Sequence, residues 1–392
     1  MNRTIYLVLF TLAVGGAERH ASSIANYLLQ RGYNVKIVLL QDNVVDYTLA
    51  DEIEVIALSD LQCPDNVKNP KIKIWDKLRL KIYSLLSEEK YKYLDRKLWL
   101  ELHYINKLKF YFSEQDNVEN SLVISFMTMP NITMSMLKKF FGYKLILSEF
   151  TSPHLEFAAE APENKLKRKF FSNADGFIFQ TDEQKEYYSY LSQVKMQVIP
   201  NPIEDIETLP YHGTRKKEIV NYCRHVKAKN LPLLIESFAK LVKDYPEYKL
   251  VIYGDGPERQ NVEKSIIEYG IIDKVLLKPF AKNVLELVRE STMFVSSSDR
   301  EGISNSMLEA MAIGLPTVCT DCPAGGARMF IEPYKNGLIV PVRDSEALYK
   351  AMKYVIDNPK EAESMSRNAV SVRKDLEKKK ILNQWLDFLN MI

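Results

Sequence analysis

The chain has 392 residues, enough for two or three domains of ordinary size. With 46% hydrophobic and 27% charged residues it has a soluble globular composition, which excludes a disordered, collagen-like or disulfide-scaffold protein. Fifty-three Lys and Arg against 51 Asp and Glu leave a formal charge of +2, so nothing at whole-chain level calls for nucleic acid as a partner.

At the N-terminus Ile5 to Leu12 reads as a buried strand. It is too short for a signal-peptide core, and no stretch nears the roughly 20 apolar residues that span a bilayer, so a cytoplasmic location is expected. The turn Gly15-Gly16-Ala17 follows, and apolar residues at Ala17, Ala21, Ile24, Ala25 and Leu28 then recur at helical spacing until Gly32. Further strands are predicted at Val35 to Leu40, Ser121 to Phe126, Lys144 to Leu147 and Gly176 to Gln180. Two prolines, Pro200 and Pro202, interrupt the pattern, and the polar stretch running on to Lys217 marks the interdomain linker. The second half restarts with a strand at Glu218 to Tyr222, a helix at Leu231 to Val242 and a strand at Lys249 to Tyr253 ending in Gly254-Asp255-Gly256. Strands recur at Val275 to Leu277, Met293 to Ser297, Thr317 to Cys319 and Gly337 to Val340. Alternating strands and helices in both halves predict two doubly wound α/β domains, residues 1–200 and 201–375, with residues 376–392 a helix able to join either one.

Cys63, Cys223, Cys319 and Cys322 lack the second C-x-x-C pair that a zinc site needs, and the five histidines are scattered, so the cysteines read as reduced structural thiols. Residues 15–20 do not spell G-x-G-x-x-G, which argues against a dinucleotide enzyme.

The most informative stretch is Ser296 to Pro316, a strand, a glycine-containing loop and a short helix. Backbone N–H groups at that helix start, around Ser304, Asn305 and Ser306, suit an anion such as a diphosphate. Glu301 in the loop and Glu309 on the helix place two carboxylates against different parts of one ligand, where sugar or ribose hydroxyls are suitable donors. Ser306-x-x-Glu309 also fits a capping box, and that alternative stays open at this point.

Two glutamates at this spacing, together with Gly302, Ile303, Ser304 and Asn305 between them, resemble the signature of glycosyltransferase family 4, the retaining enzymes of GT-B fold. Gly15-Gly16-Ala17-Glu18-Arg19 resembles the family's N-terminal glycine loop, Pro200-Asn201-Pro202 its interdomain crossing, and Gly254-Asp255-Gly256-Pro257 its second-domain turn. The resemblance implies two Rossmann-like domains facing across a cleft, a nucleotide-sugar held by the second and an acceptor by the first. It places Arg224 and Lys229 on the donor diphosphate, with Gly15, Gly16, Gly254, Gly256 and the 301–309 segment around the nucleotide-sugar. A guanidinium and an ammonium would neutralise the leaving diphosphate without a metal, in keeping with the missing D-x-D run. The family's acceptor-side histidine has no direct counterpart; Glu149 stands at the strand end and His154 five residues later, and both are candidates. Thr320 to Ala327 resembles a further loop lining the donor pocket.

Between Lys68 and Lys109 twelve Lys and Arg face five Asp and Glu, with Trp75, Tyr83, Tyr91, Tyr93, Trp99 and Tyr104 interleaved. Over residues 68–111 this mixture suits an anionic membrane surface, or equally a solvated helix pair. The resemblance implies a UDP-sugar donor, GDP being the other option, and a glycan or polyprenyl-diphosphate-linked acceptor at the inner face of the membrane. A GT-B epimerase acting on UDP-N-acetylhexosamine and a non-catalytic nucleotide-sugar-binding subunit are the competing expectations.

Overall fold

A computed structural model describes residues 3–13, 15–41, 43–64, 104–153, 169–203 and 206–392. The first domain holds β1 (Thr4–Leu9), α1 (Gly16–Gln30), β2 (Asn34–Leu39), β3 (Glu54–Ala57), β4 (Leu122–Phe126), α2 (Thr128–Phe141), β5 (Lys144–Glu149), β6 (Gly176–Phe179), α3 (Asp182–Tyr187) and β7 (Lys195–Val198). Its seven strands lie parallel in the order β3-β2-β1-β4-β5-β6-β7. The order reverses beside β1, and this switch point opens the crevice at the strands' carboxyl ends where such sheets bind ligands. Most of the basic aromatic stretch, and His154, lie outside the described residues.

The second domain holds β8 (Lys216–Tyr222), α4 (Leu231–Asp244), β9 (Lys249–Tyr253), α5 (Arg259–Glu268), β10 (Val275–Lys278), α6 (Val284–Val288), β11 (Ser291–Ser296), α7 (Asn305–Ala312), β12 (Thr317–Thr320), α8 (Gly326–Phe330) and β13 (Leu338–Val340). Its six parallel strands run β10-β9-β8-β11-β12-β13, again reversing beside the first strand of the domain. Helices α9 (Ser345–Asp357), α10 (Pro359–Ala369) and α11 (Val372–Asp375) complete it, and α12 (Lys378–Asn390) returns to the first domain. Two parallel Rossmann-like sheets facing one another are the GT-B architecture.

Side chains alternate along each strand between two cores, as a sheet covered on both faces requires. Ile5, Leu7 and Leu9 of β1 enter a central apolar cluster that continues through Met307 and Leu308 of α7 to Trp385 of α12, so one core runs through both domains. Tyr6 and Val8 face a second core in the first domain with Phe112 and Tyr143, and Ile219, Leu250 and Val295 a third in the second. Two chain crossings link the domains and pair with each other, Ile203 N–H donating to the Leu376 carbonyl at 2.9 Å.

Helix α12 fastens this crossing. Trp385, 1% exposed, stacks on Phe126 at 6.0 Å and meets the His20 ring edge-on at 5.4 Å. Gly176 is required where α12 passes β6, because a Cβ there would lie 2.8 Å from the Phe388 ring.

Candidate active site

The turn entering α1 is pinned from one side. Tyr47 accepts a hydrogen bond from Gly15 N–H at 2.8 Å and donates its own proton to the Gly15 carbonyl at 2.6 Å. The Gly15 amide is therefore engaged within the first domain. Gly16 is the member of the pair that faces the second domain, and a Cβ on it would stand 3.2 Å from Asn305 Nδ2.

Across the cleft β8 delivers Cys223-Arg224-His225. The β9 turn lies directly on this segment, His225 N–H donating to the Asp255 carbonyl at 2.8 Å. Both glycines of the turn have positive φ, 131° at Gly254 and 155° at Gly256, and a Cβ at either would strike the Cys223 or His225 carbonyl, at 2.0 and 2.4 Å. They are there because only glycine permits this close approach. The packing leaves Arg224 exposed at the mouth of a cavity of about 590 Å³. Ala13 and Asp46 of the first domain line it together with Arg224, Phe280, Val284 and Glu309 of the second.

The loop after β11 is tied to the segment after β8 strand end by strand end. Ser297 Oγ donates to the Lys229 carbonyl at 3.0 Å, Asp299 N–H to the Ala228 carbonyl at 2.8 Å, and Asn230 Nδ2 to Asp299 Oδ1 at 2.9 Å. This brings the Lys229 ammonium onto Glu301 Oε1, which also accepts from Ser298 Oγ at 2.9 Å. Burial works against the charge on Lys229, yet the carboxylate beside it holds its pKa above the ordinary lysine value. The surrounding thiols of Cys223 and Cys322 are pushed by burial up to about 12, and Cys319 higher still, which keeps them protonated and inert at neutral pH.

Gly302 sits where the domains touch. A Cβ would lie 2.3 Å from Gln180 Oε1 and 2.4 Å from the Phe150 carbonyl, while Gly326 packs against the Gly302 carbonyl from behind. Ile303 is buried, and Ser304 caps α7 by accepting from Met307 N–H at 3.5 Å. The helix therefore starts before Ser306, and the capping box that Ser306 and Glu309 suggested does not form. Glu309 turns instead to the first domain, where its Oε1 takes both terminal nitrogens of Arg19, at 3.2 and 3.3 Å. Asn305 Oδ1 accepts from Asn201 Nδ2 at 3.1 Å, and Asn201 in turn accepts from Gln180.

Arg224, Lys229, Gly254, Gly256, Glu301, Gly302, Ile303, Ser304, Asn305 and Glu309 thus gather on the second domain's strand ends, with Gly15 and Gly16 opposite. Glu149 is different. It is fully buried, and its Oε1 accepts from Phe150 N–H, Thr151 N–H and Thr151 Oγ1 at 3.0, 3.2 and 2.9 Å, building the turn that meets Gly302. Sequence reasoning placed Arg19 and Asn201 in motifs without giving them a role, and missed Gln180 and Phe280. Arg19 and Glu309 are 290 residues apart, and no local pattern announces such a pair. Phe280, at 71% exposure just beyond β10, carried the only available signal, an aromatic residue following a proline at a strand end.

Residues 209–372 match the family model of the glycosyl transferases group 1. Over 98% of both chains the protein is 26% identical to the Campylobacter jejuni N-acetylgalactosamine-N,N'-diacetylbacillosaminyl-diphospho-undecaprenol 4-alpha-N-acetylgalactosaminyltransferase. Among solved structures it is similar to the Thermosynechococcus elongatus sucrose-phosphate synthase, with a TM-score of 0.77, 16% identity and coverage of 100% of this chain and 99% of the other. The Anabaena protein HepE, solved in complex with UDP, matches with a TM-score of 0.75 at 16% identity over the whole of both chains. The second domain matches the group 1 glycosyl transferases, and the chain as a whole has the GT-B fold.

Proposed function

We propose that this glycosyltransferase moves a sugar from a UDP-sugar to a glycan or polyprenyl-diphosphate-linked saccharide, with retention of anomeric configuration. The observation that carries the reading is that Arg224 and Glu309 line one cavity with Ala13 and Asp46 of the first domain, while Lys229 pairs with Glu301 at the neighbouring ends of β8 and β11. Arg224 and Lys229 carry the positive charge that a departing nucleoside diphosphate needs, so the reaction proceeds without a divalent ion. Glu301, oriented by Lys229 and Ser298, grips the transferred sugar; Glu309 holds the ribose. The leaving phosphate itself accepts the acceptor's proton, which spares the protein a nucleophile. A UDP donor is supported by the HepE complex, and a lipid-diphosphate acceptor by the printed name of the Campylobacter relative.

Calorimetric titration of UDP without metal tests the donor site. UDP should bind, Arg224→Ala should lose about tenfold or more in affinity, as expected for a charge-assisted contact, and EDTA should leave transfer intact. Glu309→Ala should weaken donor binding while Glu301→Ala chiefly lowers kcat. Undiminished activity in both variants would refute these assignments.

We further propose that the enzyme works at the inner membrane surface through its basic first domain. Among the described residues, Lys109 lies 4.5 Å over the ring of Phe140, which is 66% exposed beside Lys139. No helix among the described residues is long and apolar enough to cross a membrane. Co-sedimentation with liposomes should therefore require anionic lipid and weaken with salt.

A further inference from the structure

Beside the donor cavity, on the first-domain side, lies a second pocket of about 290 Å³ at the carboxyl ends of β1 and β4. Leu9, Phe10, Phe126, Met127 and Met129 supply apolar surface there, and Glu18 is the one charged residue lining it. Its size suits one sugar ring rather than a chain.

Glu18 occupies the first turn of α1, next to the Arg19 that reaches Glu309. Its carboxylate folds back over the glycine turn, where a Cβ on Gly15 would fall 2.0 Å from Oε2. It forms no ion pair among the described residues; burial raises its carboxyl above the usual range, countered in part by its own backbone N–H and by the Arg224 charge across the cleft. The pocket floor is held in an unusual conformation. Met127 has φ 74° and ψ 164°, a region non-glycine residues rarely occupy, and it is fixed there by its N–H donating to the Ser148 carbonyl at 3.0 Å and its carbonyl accepting from Asn131 N–H at 3.0 Å. A partly buried carboxylate beside an apolar floor in a pocket of this size is an arrangement suited to a small polar ligand with one apolar face.

We infer that this pocket seats the terminal sugar of the acceptor, Glu18 accepting a hydrogen bond from a ring hydroxyl while Phe126, Met127 and Met129 cover the C–H face or an acetamido methyl. Pyranose hydroxyls donate well to a carboxylate, and the apolar face of the ring packs on aromatic and thioether groups. The inference rests on the proposed transferase reading and names the acceptor side of that site.

The test uses the full chain saturated with UDP and, as probes, the methyl α-glycosides of galactose and N-acetylgalactosamine, followed by saturation-transfer NMR. At about 50 mM probe, above the millimolar Kd of a weak single-sugar site, wild type should saturate the ring protons of at least one glycoside. Glu18→Gln keeps the shape of the side chain at the start of α1, so thermal stability and UDP affinity should hold while glycoside affinity falls about tenfold or more. Met129→Ala should weaken the same probe with UDP binding again unchanged. Absence of glycoside binding in wild type, or its survival in both variants, would overturn the inference. UDP affinity falling in step in both variants would overturn it too, since the effect would then be on the cleft as a whole. Failure of wild type to bind UDP would instead defeat the donor-site reading on which it stands.

Discussion

Gly302 and His20 show how much one residue decides here. At Gly302 even a methyl group would meet the Phe150 carbonyl at 2.4 Å, a backbone atom that cannot swing aside. Gly302→Ala should therefore hold the domains apart: transfer should drop at least about tenfold, one tenfold step corresponding to about 1.4 kcal/mol of lost transition-state stabilisation. Because the clash is with first-domain atoms, UDP affinity should fall less than turnover. Equal losses in UDP affinity and turnover would show that the substitution damages the donor site itself. His20 makes a different prediction. Burial against Phe150 and Trp385 lowers its imidazole from 6.5 to about 3, so it is neutral in the folded protein. The unfolded chain takes up a proton below its ordinary pKa, so stability present above pH 6.5 is lost as the pH falls toward 3, by on the order of 4 kcal/mol. His20→Leu should flatten this acid limb in denaturation midpoints measured between pH 7 and 4, and an unchanged limb would assign it to other groups.

Among elements, α12 is the one whose placement the sequence left open, and the structure shows why it packs where it does. Its apolar stripe, Ile381, Leu382, Trp385, Phe388 and Leu389, fits a first-domain surface made by Phe126, His20 and Gly176. An amphipathic pattern announces a helix but not the surface it covers. Trp385→Ala empties a site 1% exposed and should cost about 3–5 kcal/mol, read as a lower midpoint for a transition that includes the first domain. A midpoint change confined to the second domain would contradict this packing. The strongly periodic strands were legible for the same local reason that α12's partner was not. Lys249–Tyr253 matches the expected span, but Glu54–Ala57 and Lys195–Val198 were missed, being four residues each with charged or polar positions interrupting the apolar run. Within the site, the motif around Glu301 and Glu309 could be read from spacing and resemblance. The use of Gly254 and Gly256 to admit a neighbouring carbonyl could not, because that neighbour comes from another strand end.

At the scale of the whole molecule, the two domains share an apolar core yet meet near the cleft through polar contacts. Arg19 pairs with Glu309, Asn201 with Asn305, and Glu183 both accepts from Ala324 N–H at 3.1 Å and pairs with Arg328 at 3.3 Å. Ion pairs that keep contact with solvent, as these partly exposed ones do, are worth about 0–1 kcal/mol each, and polar interdomain contacts permit relative motion. Such a clasp is strong enough to bias a closed cleft and weak enough to let a nucleotide-sugar in and a diphosphate out. Glu183 does not line the donor cavity, although its partner Ala324 belongs to the loop expected beside it, so Glu183→Ala tests the clasp without removing a residue of the proposed chemistry. A loss near 1 kcal/mol moves an open–closed equilibrium by about fivefold. The variant should show a larger radius of gyration in solution scattering than wild type, wild type should approach it at high salt as the ion pairs are screened, and UDP should draw both back toward the closed dimension. Superimposable scattering curves for variant and wild type would mean that the apolar core and the paired crossings at Ile203 and Leu376 alone fix the domain arrangement. Closure would then be a permanent feature of the fold, and exchange of substrate and product would have to proceed through the standing cleft.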